Sequence, residues 1–164
     1  MSIRFSADEV LEIAEQIERN GVAFYSAAAE VIKDPKANKM LKDLASWEES
    51  HVETFATMRA DLSVDEIDSD VYDPYSELED YLKATADQVV FTSKMTPKEM
   101  LGENPTLRSI LETALEREKD SVVFYSGIRD MVSRKAGAER VDKIIGEEVS
   151  HVALIQKQLK SILG

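Results

Sequence analysis

Apolar residues recur along most of the chain at alternating steps of three and four positions. This spacing places them on one face of an α-helix, and no segment shows the apolar–polar alternation of a half-buried strand. Four long segments have the pattern, and a shorter one lies between the second and the third. We therefore predict an all-α fold with helices at 7–33, 35–61, 74–91, 105–134 and 138–163, and one short turn of helix at 97–101 that Gly102 ends.

Prolines and capping residues mark the predicted helix starts. Each of the four prolines follows a residue that commonly caps helices, so the proline would occupy the first helical position. These predicted caps are Asp34, Asp73, Thr96 and Asn104. A capping box from Ser6 to Glu9 would start the first helix.

The connections between the long helices predict how the helices pair. Short turns at Lys33–Lys36 and Arg134–Ala138 would form two hairpins, at about 7–61 and 105–163. A long crossover, 62–104, separates the hairpins and carries the extra helix. A simple up-down bundle has only short connections, whereas one long crossover is typical of ferritin-like bundles. The 164 residues are thus predicted to form a single domain, a ferritin-like four-helix bundle.

The two hairpins repeat each other in sequence. Residues 7–60 align without a gap with residues 107–160, at an offset of 100 positions. The identities are concentrated in the segment that begins at Leu11 and in the motif Glu-x-Ser-His-Val, which begins at Glu48 and again at Glu148. Each hairpin is therefore predicted to be half of a bundle with pseudo-twofold symmetry.

A glutamate lies near the middle of the apolar face of every long helix, and two of these helices add a histidine three residues later. The set is Glu18, Glu48, His51, Glu118, Glu148 and His151, and it includes both histidines of the chain. Bare carboxylates in a bundle core would each cost on the order of several kcal/mol in desolvation and would repel one another. Two divalent cations would balance the four charges, and Glu and His at i, i+3 can reach the same cation. The pattern predicts an inward-facing dimetal-carboxylate site.

Taken singly, these residues have ordinary structural interpretations. One Glu-x-x-His on a helix is usually a solvated face, Glu18 and Glu118 alone would be surface acids, and Tyr25 and Tyr125 alone would be core residues. The metal-site hypothesis depends on the joint pattern, which uses both histidines, all four helices and both halves of the repeat.

This joint pattern resembles the ferritin-like superfamily and, within it, the rubrerythrin-type diiron proteins. The resemblance covers the four long helices. It implies two bridging glutamates, two terminal glutamates and one histidine per metal ion, here Glu48 and Glu148, Glu18 and Glu118, and His51 and His151. It also implies that Tyr25 and Tyr125 donate hydrogen bonds to the carboxylates. The implied cofactor is two iron ions, although such ligands also accept manganese and zinc, and bacterioferritins use a similar set.

The sequence departs from typical rubrerythrins at two points. Those proteins carry a rubredoxin domain with four cysteines, and this chain has no cysteine. They also carry an extra glutamate one turn after the terminal glutamate of the third long helix, where this chain has Ser121 and, in the other half, Gly21. We expect the two small residues to leave room beside the metals for dioxygen, peroxide or water.

The charge of the chain excludes some classes of partner. With 32 acidic and 20 basic residues, the net charge is −12, which disfavours nucleic acid and anionic membranes as partners. The sequence lacks an apolar run long enough to span a bilayer, and its first residues do not resemble a signal peptide, so we expect a cytoplasmic protein.

Three further features receive structural interpretations. Segment 61–80 holds nine acidic residues and no basic one, which we interpret as a solvated crossover, with a cation-attracting entrance as the alternative. Trp47 is expected to serve in packing. The apolar positions of 74–91 are expected to cover the bundle or to form a dimer contact.

These observations support one main functional hypothesis and two alternatives. The main one is a diiron oxidoreductase that reduces hydrogen peroxide or dioxygen, with Tyr25 and Tyr125 supporting the centre and an external protein donating electrons. The alternatives are ferritin-like iron oxidation and storage, and a bundle that metal only stabilises. We expect a homo-oligomer, most simply a dimer.

Overall fold

The computed structural model describes residues 6–63, 77–129 and 135–164. Within these ranges all regular structure is helical, which confirms the predicted all-α class. The helices are α1 (Ala7–Val31), α2 (Pro35–Ala60), α3 (Glu77–Ser93), α4 (Pro97–Leu101), α5 (Leu107–Ile128) and α6 (Lys135–Leu163). Helices α1 and α2 form one hairpin, α5 and α6 form the other, and α3 and α4 belong to the crossover.

Local capping chemistry sets most of the helix starts as predicted. The Ser6 hydroxyl accepts from the Glu9 amide and the Glu9 carboxylate accepts from the Ser6 amide, which completes the capping box. Asp34 caps α2 by accepting from the Ala37 amide at 2.8 Å. Thr96 caps α4 in the same manner. The predicted cap Asp73 lies outside the described residues.

The predicted cap at Asn104 is wrong. Helix α5 is capped by Thr106, whose hydroxyl accepts from the Ser109 amide at 3.1 Å while the Ser109 hydroxyl accepts from the Thr106 amide at 2.9 Å. Asn104 has a φ of 50°, outside the extended conformation that an N-cap requires. The reciprocal Thr–Ser pair therefore starts the helix two residues later than the proline predicted.

The second hairpin turn also differs from its predicted position. Helix α5 ends at Ile128 and α6 begins at Lys135, so Arg134–Ala138 is not the turn, and the connection lies earlier in the chain. Gly137 is inside α6 because one glycine costs a helix only about 1 kcal/mol, which packing against α5 outweighs. Residues 130–134 lie outside the described part of the chain.

Two apolar layers fill the bundle on either side of its middle. One layer joins the start of α1 and the end of α2 to the end of α5 and the start of α6, and its residues include Leu11, Ala14, Phe55, Met58, Phe124, Ile128, Val141 and Ile144. The other layer joins the opposite ends of the same helices and includes Phe24, Ala28, Leu41, Leu44, Leu111, Ala114, Ile155 and Leu159. The layer between them is polar.

Helix α3 covers the bundle along α1. Leu82 and Val89 are buried there, and the Asn20 side-chain amide donates to the Val89 carbonyl oxygen at 3.1 Å. Val90 and Phe91 of the same helix remain exposed. This arrangement matches the covering role expected for this segment. None of the helices in the described ranges is long and apolar enough to cross a membrane.

Candidate metal centre

The polar middle layer contains the six residues singled out by the sequence. Each long helix turns its central glutamate inward, and α2 and α6 add a histidine one turn later. All six side chains are buried, with residue exposures of 0–4%. They are Glu18, Glu48, His51, Glu118, Glu148 and His151. The bundle thus brings together every predicted ligand, although metal binding by them stays a prediction.

The cluster consists of two overlapping sets of potential ligands. Each set draws one glutamate from α1 or α5 and one histidine from α2 or α6, and both sets share Glu48 and Glu148. Within each set, one ligand atom per residue lies within 4.8 Å of the others. Two neighbouring cations could therefore be held with two shared carboxylates between them, which is the arrangement that the resemblance implies.

Both histidines direct Nδ1 into the cluster. His51 Nδ1 lies 2.9 Å from Glu148 Oε1 and 3.3 Å from Glu18 Oε2. His151 Nδ1 lies 3.3 Å from Glu118 Oε2 and 3.5 Å from a Glu48 oxygen. Nδ1 is therefore the nitrogen available to a metal ion in each half.

The two tyrosines hold the glutamates of the opposite half. The Tyr25 hydroxyl donates to Glu118, and the Tyr125 hydroxyl donates to Glu18. Burial, followed by the nearby carboxylates, raises the pKa of both tyrosines well above its usual value. Both phenols consequently stay protonated and act as donors, in agreement with the expected hydrogen bonds to the carboxylates.

The shared glutamates are incompletely paired. Glu48 Oε1 and both carboxylate oxygens of Glu148 are buried and accept no well-directed hydrogen bond from the described residues, although His51 Nδ1 lies 2.9 Å from Glu148 Oε1. Burial and the neighbouring carboxylates raise the pKa of Glu48 and Glu148 well above its usual range. Buried orphaned carboxylate oxygens are costly, and divalent cations would satisfy them directly. The residues present therefore fit a dimetal group.

For Glu118 and His51, hydrogen bonds shift the pKa in the direction opposite to burial. Burial raises the pKa of Glu118, but the hydrogen bonds from His151 and neighbouring groups outweigh it, so that the pKa is lowered. Burial lowers the pKa of His51, yet the carboxylates of Glu18 and Glu147 together raise it above its usual value. In the metal-free cluster, protons are therefore favoured on His51, Glu48 and Glu148 and disfavoured on Glu118.

Gly21 borders the same cavity as Ser121 and also gives room to the Glu48 carboxylate. A Cβ atom at this position would lie 2.8 Å from Glu48 Oε2, so the space that Gly21 leaves is occupied by the Glu48 carboxylate. Ser121 is almost fully buried, and its side chain borders a cavity. This cavity of about 260 Å³ lies between α1, α3 and α5 and extends to Tyr25 and Glu118.

Two residues beside the histidines were not recognised as part of the site. Glu147 lies with one carboxylate oxygen 2.8 Å from His51 Nε2, on the side of the ring opposite the cluster. Trp47 stacks on His151, with ring centroids 5.1 Å apart and planes at 12°, and its side chain is about half exposed rather than part of the core. Positions 47 and 147 are equivalent in the repeat and immediately precede Glu48 and Glu148, and this placement could have identified both residues from the sequence.

A bundle of two hairpins with this carboxylate–histidine cluster defines a ferritin-like helical bundle with a candidate metal centre. The chain belongs to the Rubrerythrin family, whose pattern it matches over residues 9–159. A solved structure from Thermotoga maritima, named as a ferritin-like diiron-carboxylate protein, is similar in fold, with a TM-score of 0.72 at 23% identity over 96% of both chains. No curated protein matches this chain. The family relationship confirms the resemblance, and the absence of cysteine means that these residues hold no rubredoxin centre.

Proposed function

We propose that this protein is a non-haem diiron oxidoreductase that reduces hydrogen peroxide or dioxygen with electrons from an external donor. The observation that carries the proposal is the buried cluster of four glutamates and two histidines with orphaned oxygens on the two shared glutamates. Bound iron would supply the electrons that cleave an O–O bond.

The charges of the cluster suit two ferrous ions. Four carboxylates and two neutral imidazoles carry four negative charges, which two dications would balance. Glu18 and His51 would hold one ion, Glu118 and His151 would hold the other, and the two remaining glutamates would be shared. Manganese and zinc accept the same ligand types, so metal analysis must establish which ion is bound.

The surrounding residues would keep the centre ordered and dry. Tyr25 and Tyr125 fix the terminal carboxylates through their hydroxyl groups, and the apolar layers on both sides exclude bulk water. The cavity beside Ser121 gives a small oxidant a route towards Glu118. The volume of about 260 Å³ is ample for peroxide or dioxygen.

The electrons for repeated reduction of the oxidant must come from another molecule. Reduction of peroxide to two waters consumes two electrons and two protons, and the chain has no cysteine with which to hold a rubredoxin-type donor centre. The net charge of −12 favours transient docking of a donor protein with a locally basic face. The proposed partners are therefore the oxidant and a separate electron-donor protein.

The test is anaerobic loading with ferrous ions, metal analysis, and stopped-flow mixing with peroxide and with dioxygen. We expect two irons per chain, one rapid oxidation, and a stall that only an added reduced donor relieves. The double variant His51→Ala and His151→Ala should lose tight iron binding. Sustained turnover without a donor would contradict the scheme. Accumulation of far more than two irons per chain in a large assembly would instead indicate iron storage.

A further inference from the structure

The two halves of the centre differ at the pair of equivalent positions that lie beside the histidines. The residues immediately before the shared glutamates are Trp47 in α2 and Glu147 in α6. The structure places each of them against the histidine of the other half, Trp47 against His151 and Glu147 against His51. The pseudo-twofold symmetry of the ligands is therefore broken in their immediate surroundings.

Glu147 can improve His51 as a ligand. A neutral imidazole that binds a metal ion through Nδ1 carries its proton on Nε2, and His51 Nε2 lies 2.8 Å from Glu147 Oε2. A carboxylate that accepts this proton fixes the tautomer and the ring orientation and makes the ligand nitrogen more basic. Lys143 lies 3.7 Å from the other Glu147 oxygen, which leaves Oε2 to His51.

Trp47 cannot do the same for His151. The two rings are nearly parallel, so the His151 N–H bonds lie in the plane of the imidazole and do not point at the indole. The stack orients the His151 ring, but it adds neither a hydrogen-bond acceptor nor a negative charge. One histidine is thus supported by a carboxylate and the other by an aromatic surface.

We infer that the two metal subsites are inequivalent, and that the subsite of Glu18 and His51 binds a divalent cation more tightly and fills first. Glu147 is the positioning residue responsible for the difference. The inference depends on the proposed function only in requiring that the cluster bind two cations. It makes no assumption about the oxidant or the donor.

The test uses Zn²⁺, which is diamagnetic, and protein labelled with ¹⁵N at histidine. Because the chain has only two histidines, NMR can follow each subsite separately during a titration. We expect the ring signals of His51 to change at the first equivalent and those of His151 at the second. Glu147→Gln should weaken the first site about 10-fold and narrow the difference between the sites.

Two further variants separate the hydrogen bond from simple charge. Glu53→Gln removes an exposed negative charge from α2 near His51 and should leave the order of filling unchanged. Trp47→Glu would supply both halves with a carboxylate and should strengthen the second site. Simultaneous filling in the natural protein, His151 filling first, or an unchanged difference in affinity between the two sites in Glu147→Gln would overturn the inference. If Zn²⁺ changed neither histidine signal, the proposed metal centre itself would fail.

Discussion

At the scale of single residues, the centre is built from groups that are unfavourable in a protein core unless something compensates them. Glu48 and Glu148 are buried with orphaned oxygens, while Glu18 and Glu118 each accept a phenolic hydrogen bond from the other half of the bundle. Glu18 and Glu118 are therefore held by protein hydrogen bonds, whereas the carboxylates of Glu48 and Glu148 are available to the proposed cations. This division explains why the tyrosines matter to the site without being ligands.

Removing one phenolic donor should weaken both the fold and the centre. Tyr125→Phe leaves a Glu18 oxygen buried without its donor, which should cost about 1–3 kcal/mol in the unfolding free energy of the metal-free protein. Loss of the same hydrogen bond should reduce metal affinity about 10-fold or more. Urea unfolding and a metal titration measure the two effects. Tyr81→Phe, at a half-exposed position on α3, is the matched control and should change both quantities little.

At the scale of helices, one glycine shows how closely α1 and α2 approach. Gly21 lies directly opposite the Glu48 carboxylate, and the missing side chain lets that carboxylate reach the middle layer. Elsewhere α1 and α2 contact each other through apolar packing in the two flanking layers and through the ion pairs of Arg59 with Asp8 and Glu15. The geometry of the shared glutamate therefore depends on the backbone of the neighbouring helix.

Gly21→Ala should separate helix stability from metal binding. The alanine improves helix propensity by up to about 1 kcal/mol, but its Cβ would displace the flexible end of Glu48. We expect the metal-free protein to keep its fold and stability, and metal affinity to fall. Gly146→Ala in α6, where a Cβ meets nothing within 4 Å, is the control. It should stabilise the helix and leave metal binding unchanged. Equal metal affinity in both variants would contradict this role of Gly21.

At the scale of the whole molecule, the two hairpins each contribute two buried glutamates to one acidic layer in the middle of the bundle. Binding of cations to the folded state alone must stabilise the bundle, since the unfolded chain offers no assembled site. Without cations the bundle relies on protons held by the shared glutamates and by His51, whose pKa values are all raised. Stability of the metal-free protein should therefore depend on pH.

The direction of this dependence follows from linkage. A group with a raised folded-state pKa binds more protons when folded, so stability falls as pH rises from the unfolded value, about 4.3 for glutamate and about 6.5 for histidine. We expect the chelator-treated protein to lose stability between about pH 5 and pH 8, measured by urea unfolding. Glu48→Gln with Glu148→Gln should flatten the slope, which distinguishes these carboxylates from general charge repulsion. Stability that rose over this range would contradict the prediction.

The sequence by itself determined the helices, the bundle class and the six residues of the middle layer. Helical periodicity and capping are local properties, and an inward glutamate in every apolar face is visible from spacing alone. Two local predictions failed, the Asn104 cap and the turn at Arg134–Ala138, because stronger caps and helix packing override single-residue preferences. The repeat also indicated that the two halves face each other.

Only the tertiary structure decided how the halves interlock. Tyr125 and Glu18 are 107 positions apart, and His51 and Glu147 are 96 apart, so their pairing depends on the rotation and axial shift of one hairpin against the other. The same register sets Trp47 against His151, whereas the packing of α1 on α2 within one hairpin places the Glu48 carboxylate beside Gly21. Hydrophobic periodicity predicts which face of a helix turns inward, but the packing of the bundle decides which side chains of the other helices contact that face.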